Sequence, residues 1–157
     1  MNRASKFLTA GIAVIAAGAA IAASVQMKPE DAITFRQSGY KFMAWNMHRI
    51  KANLDGQFNK DEVMQAANVI QAIANSNLGK LFVPGSDKGK GWKATEVKPA
   101  LFTDRAGVGK VAKAFNEAAN EMAKVAATGD PAAVKAQFGK LGKSCKACHE
   151  KYREDDD

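Results

Sequence analysis

Cys145-Lys146-Ala147-Cys148-His149 is the string in this chain whose residue types and spacing specify a reaction. Read as C-x-x-C-H, it is the attachment signature of a c-type haem. On a helix, positions i, i+3 and i+4 share a face. Two thiols one turn apart can each add to a haem vinyl group while the adjacent imidazole reaches the iron. Three other chemistries use similar residues. A redox-active dithiol needs a strand running into a helix N-terminus, where the dipole lowers the thiol pKa. A zinc site needs a fourth ligand, and the only other histidine, His48, suits a surface or helix-packing role beside Met47. A disulfide is poorly served by cysteines three apart on a continuous helix. One haem c held by two thioethers, with His149 as metal ligand, is the expected cofactor.

The elements that must position this string are helices. From Lys28 to Leu54 a helix opens on Pro29, Glu30 and Asp31, residues suited to a first turn. Ile33, Arg36, Tyr40, Met43, Met47, Ile50 and Leu54 then recur at spacings of three and four on one face. Asp55-Gly56 makes a turn, and Asn59 or Asp61 can cap a second helix striped by Val63, Ala66, Ala67, Ile70, Ile73 and Ala74, fraying by Asn77 or Gly79. A Gly-, Lys- and Pro-rich connection follows to Phe102, without apolar periodicity. A third helix starts near Thr103 or Asp104, carries Val108, Val111, Ala112, Phe115, Ala119, Met122 and Val125, and stops at Gly129. Asp130-Pro131 opens the fourth, with the stripe Val134, Phe138, Leu141, Cys145, Cys148 and Tyr152. No segment shows the two-residue alternation of a half-buried strand. The expected fold is all-α, an antiparallel four-helix bundle with the haem near its C-terminal helix.

Composition narrows the class. The 157 residues, 46% hydrophobic and 25% charged, suit one compact domain and exclude a disordered polymer or a multidomain enzyme. Residues 1–24 are an address: Arg3 and Lys6, an Ala/Ile/Val-rich run from Phe7 to Ala23, no acidic residue, and small residues up to Ser24. This is a secretory signal peptide, and Thr9, Gly11 and Gly18 within the run argue against an uncleaved anchor. The folded domain is then 25–157. Cleavage takes Lys plus Arg from 23 to 21 against 16 Asp plus Glu, so the formal charge falls from +7 to +5. The residual excess sits partly in the Gly/Lys connection and forms no nucleic-acid stripe. The expected compartment is the bacterial periplasm, with no membrane anchor after cleavage.

The motif lies within the last thirteen residues. In that placement the chain resembles the class II cytochromes c, and within them the cytochrome c′ family. Lys28-Pro29-Glu30-Asp31-Ala32 and Phe35-Arg36-Gln37 carry the likeness at one end, Cys145 through Arg153 at the other. The resemblance implies a periplasmic haem bundle, usually a homodimer. It also implies a subclass rule: a methionine four residues after the Arg of the Arg-Gln pair goes with low-spin, six-coordinate electron carriers, and Leu, Phe or Tyr with high-spin, five-coordinate iron. This chain has Tyr40, which implies a hindered distal site for NO or CO and single-electron exchange with redox partner proteins. The other reading is a low-spin electron carrier ligated by Met43.

Around that centre, Arg36 is a cation on a buried stripe and is expected to meet the haem propionates. Gln37 resembles a haem contact, and Thr95-Glu96-Val97-Lys98-Pro99 resembles a loop bordering the propionates. Leu81 and Phe82 are candidate distal walls. Arg153 is either a residue of the proximal face or a surface arginine facing Glu154 to Asp157. No catalytic residue is assigned, since no distal histidine and arginine pair is available to split a peroxide bond.

Overall fold

A computed structural model describes residues 27–154; the expected signal peptide and its cleavage point lie outside them. Helix α1 spans Pro29–Asp55, α2 Lys60–Ala74, α3 Ala100–Thr103, α4 Arg105–Thr128 and α5 Pro131–Tyr152. The boundaries follow local chemistry. The Asn59 side chain accepts from the Glu62 N–H, Asp104 from Gly107 and Asp130 from Ala132, each satisfying a backbone donor that the first turn leaves open. Pro29 and Pro131 occupy first-turn positions, where a missing N–H costs nothing. Gly129 ends α4 at φ 76°, a left-handed conformation natural to glycine.

α1 packs on α2, α2 on α4 and α4 on α5, while α1 and α5 scarcely meet. Ile50, Val63, Ile70, Met122, Val134 and Leu141 fill the core, all essentially without exposure. Met43 and Leu141 are its last large members toward the end that carries Tyr40 and Cys145. Beyond them the seam between α1 and α5 stays open.

The long connection departs from the sequence expectation. α2 ends at Ala74, earlier than the fraying expected near Asn77, and Asn77 itself is left-handed at φ 62°. At 15 residues against 27, α2 is shorter than α1 by about three turns. The missing length is taken up by a 3₁₀ turn, Leu78–Leu81, which lies against α1, and then by a strap of residues 82–99. Glycine makes its close seating possible. A Cβ at Gly91 would come within 2.6 Å of the Thr34 backbone nitrogen, too near for any side chain.

Candidate functional site

The site is built where the N-terminal half of α1, the C-terminal end of α5 and the strap converge. Cys145 and Cys148 are half-buried on α5 and are not joined to each other; His149 is exposed. Burial pushes both thiols above the usual thiol range; a hydrogen bond from Ser144 opposes this at Cys145, and its neighbour Cys145 adds to it at Cys148. Across the seam stands Tyr40, close enough that charge on either sulfur is felt at its phenol. Loss of solvent, and then Cys148, push that phenol up to about 12. A phenolate ligand is therefore disfavoured at neutral pH. Tyr40 lies on the face of α1 that its stripe position requires, beside the seam and half-exposed along it. Met43, by contrast, is 7% exposed and packed in the core.

Arg36 is buried, as its stripe position requires, and the strap supplies its protein partners. No carboxylate lies within ion-pair distance of it among the described residues. Instead Nη1 donates to the Leu81 carbonyl at 3.2 Å and the Ser86 hydroxyl at 2.7 Å, and Nη2 to the Ser86 carbonyl and to Thr95 Oγ1 at 2.7 Å. The guanidinium also lies 4.8 Å from the centroid of Phe82. Burial pulls its pKa down, while the fields of Tyr40 and Asp87 oppose that shift. Five donors in a rigid fork match four oxygens on a folded strap. Ser86, fully buried, is the residue sequence reasoning missed; a serine inside a Gly/Lys-rich run carries no signal of its own.

Gln37 is likewise committed to the strap. Its Oε1 accepts from the Trp92 and Lys93 N–H groups at 2.9 and 3.3 Å, and its Nε2 donates to the carbonyls of Lys93 and Ala94 at 3.0 and 3.4 Å. The amide is saturated, so any haem contact by Gln37 is left to its methylene groups. Glu96 joins the strap to α5: it accepts from Arg153 Nε at 2.8 Å and pairs with Lys93. Arg153 therefore faces Glu96, a partner not expected from the sequence. The Lys98 N–H donates to the Tyr152 carbonyl and the Glu154 N–H to the Glu96 carbonyl, so the strap and the last turn of α5 run side by side. The Tyr152 hydroxyl donates to Asp104 Oδ2 at 2.6 Å, tying the end of α5 to the start of α4. These bonds hold the turn that carries His149.

Two carboxylates in this assembly titrate low. The Lys93 and Arg153 bonds hold Glu96 below the usual range, and the Tyr152 hydroxyl with the Gly107 N–H does the same for Asp104. A depressed pKa contributes stability above the unfolded value and loses it as pH falls through the folded one. Acid unfolding followed by far-ultraviolet circular dichroism should therefore begin below about pH 4.5, with Glu96→Gln giving a flatter pH dependence than the parent. An identical acid limb in that variant would remove Glu96 from the account.

The seam, its two thiols and the neighbouring imidazole fit one chemistry. A flat apolar group can enter between α1 and α5 where the core stops, bond covalently to both sulfurs and be ligated by the next residue. Zinc is not supported: no group of three or more His, Cys, Asp or Glu is placed to hold a metal ion among the described residues.

The family model described as cytochrome c′ matches residues 31–153. The chain belongs to the cytochrome c′ family. Its cofactor is haem c, covalently attached. Cytochrome c′ of Rhodocyclus tenuis is 62% identical over 130 residues, covering 82% of this chain and 98% of that one. A cytochrome c′ structure described as having an unusual ligand-controlled dimer dissociation superposes with a TM-score of 0.80 at 54% identity, over 83% of this chain and 99% of the other. Variants of cytochrome c′ from Alcaligenes xylosoxidans, one with nitric oxide and one with carbon monoxide bound, give TM-scores of 0.72 at 29% identity, over 82% of this chain and 98% of theirs. The four-helix bundle is thus the family's fold. The strap, α3 and the 3₁₀ turn elaborate its long connection.

Proposed function

We propose that this cytochrome c′ is an exported, periplasmic protein in which His149 is the only side chain bound to a high-spin, five-coordinate iron. It binds NO and CO and passes single electrons. When bound, the haem supplies a redox-active iron with one face available to a diatomic ligand. The observation that carries the reading is that Tyr40, and no methionine, stands across the seam from Cys145 and Cys148, while Met43 is taken up by the core.

Each residue then has a task. Cys145 and Cys148 hold the haem edge in register on α5, and the bonded last turn of α5 presents His149. Tyr40 would stand on the side of the seam opposite α5, its phenol a weak ligand while protonated, and a small gas would enter as the ring moves aside. Arg36, Phe82, Gln37, Glu96, Lys98 and Arg153 close the end of the seam through the strap. The NO- and CO-bound relatives support the ligand class. Periplasmic placement is supported by the C-x-x-C-H motif and the leader pattern; no described helix is long and apolar enough to cross a membrane.

The ferric protein should give an axial high-spin EPR signal and a matching visible spectrum. A fully low-spin spectrum with a methionine-to-iron charge-transfer band would establish six-coordinate iron instead. Mass spectrometry should find the haem adduct on the peptide containing Cys145 and Cys148.

A second copy of the chain is the natural cover for the outer face of α1. Phe42 and Trp45 stack there at 5.3 Å with about half their surface exposed, and Arg49 lies 5.0 Å from the Trp45 centroid. Phe42→Glu with Trp45→Glu should sediment as a monomer with an unaltered haem spectrum. Unchanged sedimentation would place the homodimer contact elsewhere.

A further inference from the structure

The Gly/Lys-rich strap does more than close the seam. Its central part is a tight hairpin: Lys90 pairs with Ala94, the Gly91 N–H donates to the Lys93 carbonyl, and the Thr95 N–H to the Gly89 carbonyl. Trp92 stands at its tip, 77% exposed, the most exposed large hydrophobic residue among those described. The ring is nonetheless ordered, because its indole N–H donates to Ser38 Oγ at 2.7 Å while its backbone N–H is held by Gln37. The stretch from Lys80 to Lys98 carries five lysines against Asp87 and Glu96, with Lys88, Lys90 and Lys93 in or next to the hairpin. Glu96 is already used by Lys93 and Arg153, whereas Lys80, Lys88 and Lys90 form no ion pair among the described residues.

We propose that this hairpin is the docking surface for an acidic redox protein, with Trp92 as the anchoring side chain and Lys88 and Lys90 as its electrostatic guide. The proposal rests on the electron-transfer part of the function given above. A pre-ordered aromatic ring loses little entropy on binding and is the kind of residue that dominates an interface. Unpaired lysines around it raise the encounter rate with an acidic partner and set its orientation. The hairpin is seated on α1 at Thr34, Gln37 and Ser38, one turn or less from Arg36, so a partner held there meets the molecule at the end that carries the haem seam. A second copy of this chain would bring lysine against lysine. A lipid surface would be met by a helix with a broad apolar face, and here a single ring stands on a hydrogen-bonded loop.

The experiment uses the holoprotein on a gold electrode coated with a carboxylate-terminated monolayer, which presents a defined acidic surface. Lys88→Gln with Lys90→Gln should reduce adsorption at low salt by about tenfold, and added salt should abolish the difference. Trp92→Ala should adsorb normally but exchange electrons about fivefold more slowly, through loss of a fixed orientation. Lys110→Gln with Lys140→Gln, equal in charge but on α4 and α5, should behave as the parent. The proposal falls if the hairpin variants match the parent, or if the Lys110 and Lys140 pair loses as much. It also falls if the hairpin lysines matter for phosphatidylglycerol vesicles and not for the electrode, or if Trp92→Ala shifts the sedimenting species to monomer. Reduction of each variant in solution by dithionite, with an unaltered spectrum, separates a failure of docking from a failure of the haem reading.

Discussion

Replacing Arg36 with methionine should lower the thermal midpoint of the holoprotein by about 10 °C. The methionine fills much of the same volume but donates nothing, so the carbonyls of Leu81 and Ser86 and the hydroxyls of Ser86 and Thr95 lose their shared partner in a buried place. Leaving such acceptors unmatched is costly, and the contact with Phe82 is lost with them. Together these amount to about 3 kcal/mol, or roughly 10 °C for a domain of this size. Arg36→Lys should recover only part of the loss, because an ammonium cannot span the forked set of oxygens. Gln37→Ala, at a more exposed anchor, should cost about 1 kcal/mol. Thermal unfolding by circular dichroism decides among these values, and a midpoint within a degree or two of the parent in the Arg36 variant would mean that the strap is held by its other contacts alone.

Removing the Tyr40 ring should accelerate CO association by about thirtyfold. On the function proposed above, a ligand enters the parent only when the ring leaves its seat between α1 and α5, and giving up an apolar contact of that kind costs about 2 kcal/mol. Transition-state arithmetic converts that cost to a factor of about thirty. Tyr40→Ala abolishes the step, and Tyr40→Phe keeps it, since the hydroxyl has no part in it. Flash photolysis of the ferrous CO complex measures the rates. If Tyr40→Phe were as fast as Tyr40→Ala, the hydroxyl and not the ring would be the gate.

The sequence reads well where periodicity and capping carry the information. Asp130-Pro131, Asp104 and Gly129 mark ends that the structure reproduces to within a residue or two, because each satisfies or replaces a backbone hydrogen bond at a fixed position. The C-x-x-C-H string on α5 and the Tyr40 stripe on α1 were equally open to reading. The strap was not. Its order comes from Arg36 and Gln37 reaching residues 45 to 59 positions away, and from Gly91 passing close to Thr34; none of these leaves a local period. Arg36 is buried as its stripe position requires, and the strap oxygens that receive its hydrogen bonds lie far away in sequence. The Glu96–Arg153 pair and the Tyr152–Asp104 bond are similarly long-range, and tyrosine on an apolar stripe looks like core until its hydroxyl finds a carboxylate.

The scarcity of contact between α1 and α5 has a consequence for the order in which the molecule is made. Every large interface joins long helices that are neighbours along the chain, with only the strap and the one-turn α3 intervening, α1 to α2, α2 to α4 and α4 to α5, so folding can proceed by successive additions. The remaining seam would have to join residues more than a hundred positions apart, the most expensive loop closure in the molecule. A covalent cofactor on Cys145 and Cys148 would span that seam. Both thiols lie on α5, more than a hundred positions from Tyr40, so one prosthetic group would serve as both the reactive centre and a fastening between the two ends of the fold.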